Sequence, residues 1–192
     1  PGRGEPAFAR ALVAMKRYQL DEARKALADW KASGAAGTQD PGRFAAMLEA
    51  ETEATIASRL FGDVLLGDDP TAEVLLAQAS LALHAFDYRS ALKFAERAVG
   101  EQQSLVPARV IAVRARALLG ETDAALAAAR TLEPELQGED RFLIADVLAT
   151  AQREAAVREE LLRLREMPGM AAAADARLGG LALGQGDLDE AD

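Results

Sequence analysis

A small or apolar residue recurs at a nearly constant interval along this chain. The intervals are 34, 34, 34, 32 and 34 residues, and the positions are Ala23, Ala57, Ala91, Ala125, Val157 and Ala191. Self-similarity at a fixed period is typical of repeat architectures, in which each unit buries its apolar face by stacking on its neighbours. The interval therefore predicts a row of similar units and argues against one irregular globule.

Apolar residues around each recurring position follow the spacing of a helix. Four residues further on are Leu27, Phe61, Ala95, Ala129 and Leu161, and three beyond those are Trp30, Val64, Ala98, Leu132 and Leu164. Steps of four and three lie on one helix face. Twelve residues before each recurring position are Ala11, Ala45, Ala79, Val113, Ala145 and Gly179. The pattern predicts a unit of two helices that cross at small residues.

Turn residues fall where such units need them. The segments from Tyr18, Phe86, Gly120 and Gly186 each lead through a similar short turn into one of the recurring positions. Gly after a helix and Pro at a helix start match the backbone preferences of those residues. Breakers separate the units at Gly34 and Gly37, Gly67 and Pro70, Gly100 and Pro107, Pro134 and Gly138, and Pro168 and Gly169. Asp40 and Thr71 are the expected helix N-caps.

Composition and net charge argue against several classes of binding partner and of chemistry. Half of the residues are hydrophobic but only 5% are aromatic, so the core must consist mainly of Ala, Leu and Val. The net charge of -9 disfavours nucleic acid as a partner, because it repels phosphates. There is no cysteine, which excludes disulfides and thiolate chemistry. No apolar run approaches the roughly 20 residues that span a bilayer.

The period of 34 and the Gly-Asp-x-x-x-Ala turn resemble the tetratricopeptide repeat family, most closely in segments 71–99 and 172–191. The resemblance implies an all-α, right-handed superhelical solenoid of antiparallel helix pairs, with about five and a half repeats in one domain. The expected units are 4–37, 38–71, 72–105, 106–137, 138–171 and a partial 172–192. The Ala, Leu, Arg and Gly bias favours a bacterial protein from a GC-rich genome. The abrupt ends suggest a fragment of a longer chain.

Three units depart from the family pattern. Thr52 replaces the turn Gly of the second unit, which leaves open that its two helices run on as one. In the fourth unit, Val113 and Arg116 leave the helix register open by one or two residues. In the fifth unit, Gln152 and Val157 stand at the Gly and Ala positions.

The resemblance also implies that the first helix of each unit lines a concave groove. The residues carried over to that groove are Phe8, Leu12, Met15, Lys16, Glu73, Leu76, Ser80, Leu83, His84, Val110, Arg114 and Leu118. A peptide or helix whose apolar side chains enter the groove would suit this surface, with Lys16, His84 and Arg114 orienting its polar groups. The competing interpretation is that Phe8, Leu12, Leu76 and Leu83 pack against neighbouring helices.

Nothing in the sequence indicates catalysis, a cofactor or a metal site. His84 is the only histidine, and the carboxylates at Glu49, Glu51 and Glu53 are more typical of a solvated helix surface than of a catalytic pair. Gly34 to Gly37 lacks the Lys-Ser/Thr of a phosphate loop. We therefore expect a non-catalytic scaffold or assembly module that binds a protein or peptide, in the cytoplasm or the periplasm. The alternatives are a regulatory or spacer segment of a larger enzyme, and a structural subunit that self-associates through uncapped ends.

Overall fold

The computed structural model describes residues 5–34 and 40–185. Throughout those ranges the regular elements are helices and no strand occurs, which confirms the all-α prediction. None of the helices described is long and apolar enough to cross a membrane. The helices are α1 (Glu5–Lys16), α2 (Leu20–Ala32), α3 (Pro41–Glu51), α4 (Ala54–Leu65), α5 (Ala72–His84), α6 (Tyr88–Glu101), α7 (Val106–Leu118), α8 (Thr122–Leu132), α9 (Leu143–Thr150), α10 (Glu154–Arg165) and α11 (Ala171–Gln185), with 3-10 turns at Glu133–Glu135 and Gly138–Phe142.

The chain divides into two compact subdomains, Pro1–Ala112 and Val113–Asp192. In the first subdomain, α1 packs on α2 and α3, α3 packs on α4 and α5, and α5 packs on α4 and α6. In the second, α9 packs between α8 and α10, and α10 also contacts α11. We call the odd-numbered helices first helices and the even-numbered ones second helices, according to their order in each predicted repeat.

The turn from first to second helix has the same backbone in four repeats. Tyr18, Phe86, Gly120 and Gln152 take left-handed φ angles of 56°, 60°, 86° and 56°. The amide of the next residue donates to the carbonyl five positions back, as from Gln19 to Ala14, at 2.9 to 3.0 Å in all four turns. This is the hydrogen bond that closes a Schellman-type helix end. The turn predicted from Gly186 onward lies outside the described residues.

The second repeat turns differently. Thr52 is extended, with φ of -157°, and Glu53 is extended as the N-cap of α4. A β-branched residue accepts this conformation readily. Two successive extended residues interrupt the helix, so the idea that α3 and α4 run on as one helix is wrong.

The recurring small residues form the interior of each helix pair. Ala23, Ala57, Ala91 and Ala125 have no exposed surface, and Val157 is 6% exposed. The residues four and seven positions further along are also buried, as are those twelve positions earlier except Gly179, which is half-buried. Ala191 lies outside the described residues. The core positions read from the 34-residue interval are thus confirmed wherever the structure describes them, apart from partial burial at Gly179.

Aromatic side chains are concentrated at one end of the first subdomain. The Phe8 and Trp30 ring centroids lie 4.9 Å apart, those of Trp30 and Phe44 5.0 Å, and those of Phe44 and Phe61 5.8 Å. The rings are tilted at angles between 33° and 40°, which avoids unfavourable face-to-face stacking. These four rings join α1, α2, α3 and α4 into one core.

The predicted N-caps are present in the structure. Asp40 Oδ1 accepts from the Arg43 amide at 2.7 Å, and Thr71 Oγ1 accepts from the Val74 amide at a longer 3.5 Å. Asp40 is followed by Pro41, whose fixed φ suits the first helical position. These caps set where α3 and α5 begin, at the edge of the site described next.

Candidate binding groove

The first helices of three successive repeats enclose a cleft of about 430 Å³ in the first subdomain. Its α3 wall is made of small residues, whereas larger aliphatic side chains stand on α5 and α7. Glycine and alanine on one wall leave the space that the cleft occupies. The apolar and hydroxyl lining consists of Pro41, Gly42, Ala45 and Ala46 on α3, Leu76, Ala77 and Ser80 on α5, and Pro107 and Ile111 on α7.

The lining follows the repeat interval. Gly42 and Leu76 are 34 residues apart, as are Ala46 and Ser80. Equivalent faces of neighbouring first helices therefore meet at the cleft. We use "the cleft" below for this cavity between α3, α5 and α7.

Every charged residue that lines the cleft is acidic: Asp40, Glu49 and Glu73. Asp40 caps α3, whereas Glu49 lies 2.6 Å from His84 Nδ1. The pKa of Glu73 is lowered by the hydrogen bond from its own backbone amide and by the Thr71 hydroxyl. Glu73 therefore remains ionised at a lower pH than an ordinary glutamate. Within the described ranges, no cationic side chain pairs with Asp40 or Glu73.

The predicted groove residues of α5 are divided between the cleft and its surroundings. Glu73, Leu76 and Ser80 line the cleft. Leu83 is half-buried beyond it, and the exposed His84 pairs with Glu49 of α3. His84 thus links two first helices in this structure.

The predicted groove residues of α1 belong largely to the core. Met15 is 1% exposed, and Phe8 and Leu12 pack against the buried cluster that contains Trp30. Lys16 is exposed, and its Nζ lies 3.1 Å from Glu51 at the end of α3. In this structure Phe8, Leu12 and Met15 thus contribute to the packing of the first subdomain.

In α7, the predicted residues differ from one another in environment. Val110 is 3% exposed and Leu118 is 42% exposed. Arg114 contacts Asp140 at 3.3 Å and Asp146 at 3.8 Å. Arg114 is therefore engaged by neighbouring acids of the second subdomain.

Asp146 is the centre of an ion network that sequence reasoning missed. Its carboxylate also accepts from Arg177 of α11 at 2.6 Å, and Arg177 stacks 4.0 Å above the ring of Phe142. Arg114 and Asp146 are 32 residues apart, the same interval as Ala125 and Val157. Opposite charges at equivalent positions of adjacent repeats were the signal that could have identified this contact.

A second cavity, which we call the α1–α2 hollow, has a volume of about 520 Å³. Arg10 and Val13 line it, and both are exposed. In the next repeat, 34 residues on, the equivalent Phe44 is buried and Met47 is half-buried, and 68 residues beyond Val13 Leu81 is buried. The hollow therefore occupies a face that is more exposed to solvent than its equivalents in later repeats.

In residues 5–34 and 40–185, no group of three or more acidic or histidine side chains is arranged to hold a metal. No protein-family model matches the sequence, and a search of curated proteins finds no match either. The resemblance to tetratricopeptide repeats thus stays a prediction, and the functional argument depends on the geometry of the cleft.

Proposed function

We propose that this chain is a non-catalytic protein-interaction module of the tetratricopeptide type. Its helix pairs would continue as a right-handed solenoid, and its groove would hold a peptide or helix of another protein. The observation that carries the proposal is the cleft, because three successive first helices contribute equivalent faces to it.

The size and lining of the cleft support binding of side chains. Its volume of about 430 Å³ falls in the range of roughly 300–1,000 Å³ typical of ligand sites. Leu76 is only half-buried, so an aliphatic side chain entering the cleft would remove its remaining surface from water. Amphipathic segments that lay an apolar face into a groove use this mode of recognition.

A selection with a random peptide library on the full chain tests the proposal. Ala46 is exposed at the cleft, so Ala46→Trp fills the cavity without entering the core. Ala28 is exposed on α2 away from both cavities, which makes Ala28→Trp the matched control. Selected peptides are expected to lose at least about tenfold in affinity with Ala46→Trp and to keep it with Ala28→Trp. Equal binding to both variants would refute the proposal.

Self-association is the second candidate function, and the α1–α2 hollow favours it. Val13 is 49% exposed, whereas its counterpart Met47 is half-buried and its counterparts Leu81 and Val147 are buried. A second copy could cover this face. Light scattering over a range of concentrations tests the idea: a dimer that Val13→Asp dissociates would support it, and a strict monomer would remove it.

A further inference from the structure

We infer that the cleft selects a segment in which Lys or Arg stands next to aliphatic side chains, and that it discriminates against acidic segments. The inference rests on the proposed binding function and adds the chemistry of the partner.

The interior of the cleft calls for aliphatic groups. Gly42 and Ala46 leave space opposite Leu76, and Ile111 closes the α7 side. None of these four side chains can donate or accept a hydrogen bond. A polar side chain placed among them would lose its hydrogen bonds to water. A Leu, Ile or Met side chain makes no such hydrogen bonds to lose.

The acidic rim of the cleft favours a positively charged side chain. Asp40, Glu49 and Glu73 are the charged residues of the lining, and Lys and Arg are absent from it. Glu49 already has His84 as a neighbour, but Asp40 and Glu73 have no cationic partner within the described residues. Asp40 Oδ1 accepts the Arg43 amide, and Glu73 is exposed to solvent. Both carboxylates can therefore receive a Lys or Arg from a bound segment.

The helix termini at the cleft do not reverse this preference. Pro41 begins α3, Glu73 is in the first turn of α5 and Pro107 is in the first turn of α7, so the positive ends of three helix dipoles are nearby. Each such end is equivalent to about half an elementary charge. Three ends therefore offset about one and a half of the three carboxylate charges. Asp40 and Glu73 also occupy amide groups that would otherwise bind an anion.

Three synthetic peptides of about 15 residues test the inference against the full chain. The first peptide has Leu at helical spacing with Lys at the remaining positions. The second replaces Lys by Glu, and the third replaces Leu by Ala. Affinities are measured by fluorescence anisotropy with a dye on each peptide. The Leu–Lys peptide is expected to bind at least about tenfold more tightly than either of the other two.

Variants assign the preference to the cleft. Glu73→Gln is expected to weaken the Leu–Lys peptide about threefold to fivefold, and Glu73→Lys by at least about tenfold. Glu53 is an exposed acid at the start of the second helix α4, away from the cleft, so Glu53→Gln is the matched control and is expected to change affinity less than about 1.5-fold. Circular dichroism confirms that each variant is folded.

The outcomes separate this inference from the proposed function. Equal affinities for the Leu–Lys and Leu–Glu peptides, both lost with Ala46→Trp, would overturn the charge preference and leave peptide binding in the cleft intact. Equal effects of Glu73→Gln and Glu53→Gln would also overturn it, because the preference would then come from net charge alone. Affinities that Ala46→Trp leaves unchanged would overturn both.

Discussion

The Nδ1 atom of His84 lies 2.6 Å from Glu49 Oε1, so that the end of α5 is tied to α3 beside the cleft. Lys16 at the end of α1 makes a similar contact with Glu51 at 3.1 Å. The two acids are two residues apart near the end of α3. Each of the two pairs thus connects successive first helices, α1 with α3 and α3 with α5.

The His84–Glu49 pair is expected to contribute little to global stability. The His84 side chain is 56% exposed, and exposed pairs contribute about 0–1 kcal/mol. A double-mutant cycle with His84→Ala and Glu49→Ala should therefore give a coupling energy below about 1 kcal/mol in urea unfolding. A coupling energy above about 2 kcal/mol would contradict this view of the pair.

Phe61 is expected to be essential for the stability of the first subdomain. Its side chain has no exposed surface and stacks on Phe44. Phe61→Ala should lower the free energy of unfolding by about 3–5 kcal/mol, because it leaves a cavity beneath the aromatic core. Trp30 is the only tryptophan and lies in this core, so its fluorescence during urea unfolding measures the effect. Phe86→Ala, at a side chain 78% exposed, is the control and should change it by less than about 0.5 kcal/mol.

Glycine is expected to stabilise the turn at Phe86. The φ angle of 60° is unfavourable for a bulky side chain but accessible to glycine. Phe86→Gly should raise the free energy of unfolding by about 0.5–1 kcal/mol, after the loss of the edge contact with Tyr88 and the entropy that glycine adds to the unfolded chain. Ala85→Gly, at a φ of -78°, should lower it. The same fluorescence assay compares the two, and destabilisation by both would show that the turn is not strained.

The interval between small residues was sufficient to predict the helix pairs and much of their core. A residue such as Ala23 or Ala57 is required wherever two helices cross closely, so its recurrence marks the crossing directly. The turns were predicted less well, because Tyr18, Phe86 and Gln152 adopt the glycine-like conformation without being glycine. At these positions the hydrogen bonds of the helix end outweigh local preference.

The site was predicted only in part. Helical spacing predicts on which face of its helix a residue lies, but it does not predict which side chains of neighbouring helices cover that residue. Glu73, Leu76 and Ser80 line the cleft, whereas Met15 and Val110 are buried. Whether a groove position is open depends on side-chain size on the adjacent first helix. Gly42 and Ala46 on α3 leave space opposite α5. Aligning the repeats does not by itself predict this space, because it does not compare side-chain sizes on neighbouring helices.

Asp146 is expected to stabilise the second subdomain because its carboxylate pairs with two arginines. Its carboxylate is 36% exposed and contacts Arg114 and Arg177. Asp146→Asn should reduce stability by about 1–3 kcal/mol, since both guanidinium groups lose a charged acceptor. Hydrogen exchange of the α11 backbone amides measures this loss of stability. Asp123→Asn, whose carboxylate pairs with Arg153 but is 89% exposed, should cost less than about 0.5 kcal/mol, and equal effects would argue against a cooperative network.

The backbone amide of Glu73 and, to a smaller extent, the Thr71 hydroxyl lower the pKa of Glu73 at the rim of the cleft. Thr71→Ala removes one of the two hydrogen bonds that lower the pKa of Glu73, so that pKa should rise toward its ordinary value, whereas Thr71→Ser should preserve it. The carboxyl carbon shift of Glu73 in an NMR titration measures the change. Because the folded-state pKa is the lower one, the stabilisation is present above the unfolded-state pKa and is lost as the pH falls through the folded-state value. In Thr71→Ala the free energy of unfolding should therefore decrease less as the pH falls. An unchanged titration of Glu73 would show that its backbone amide alone lowers its pKa.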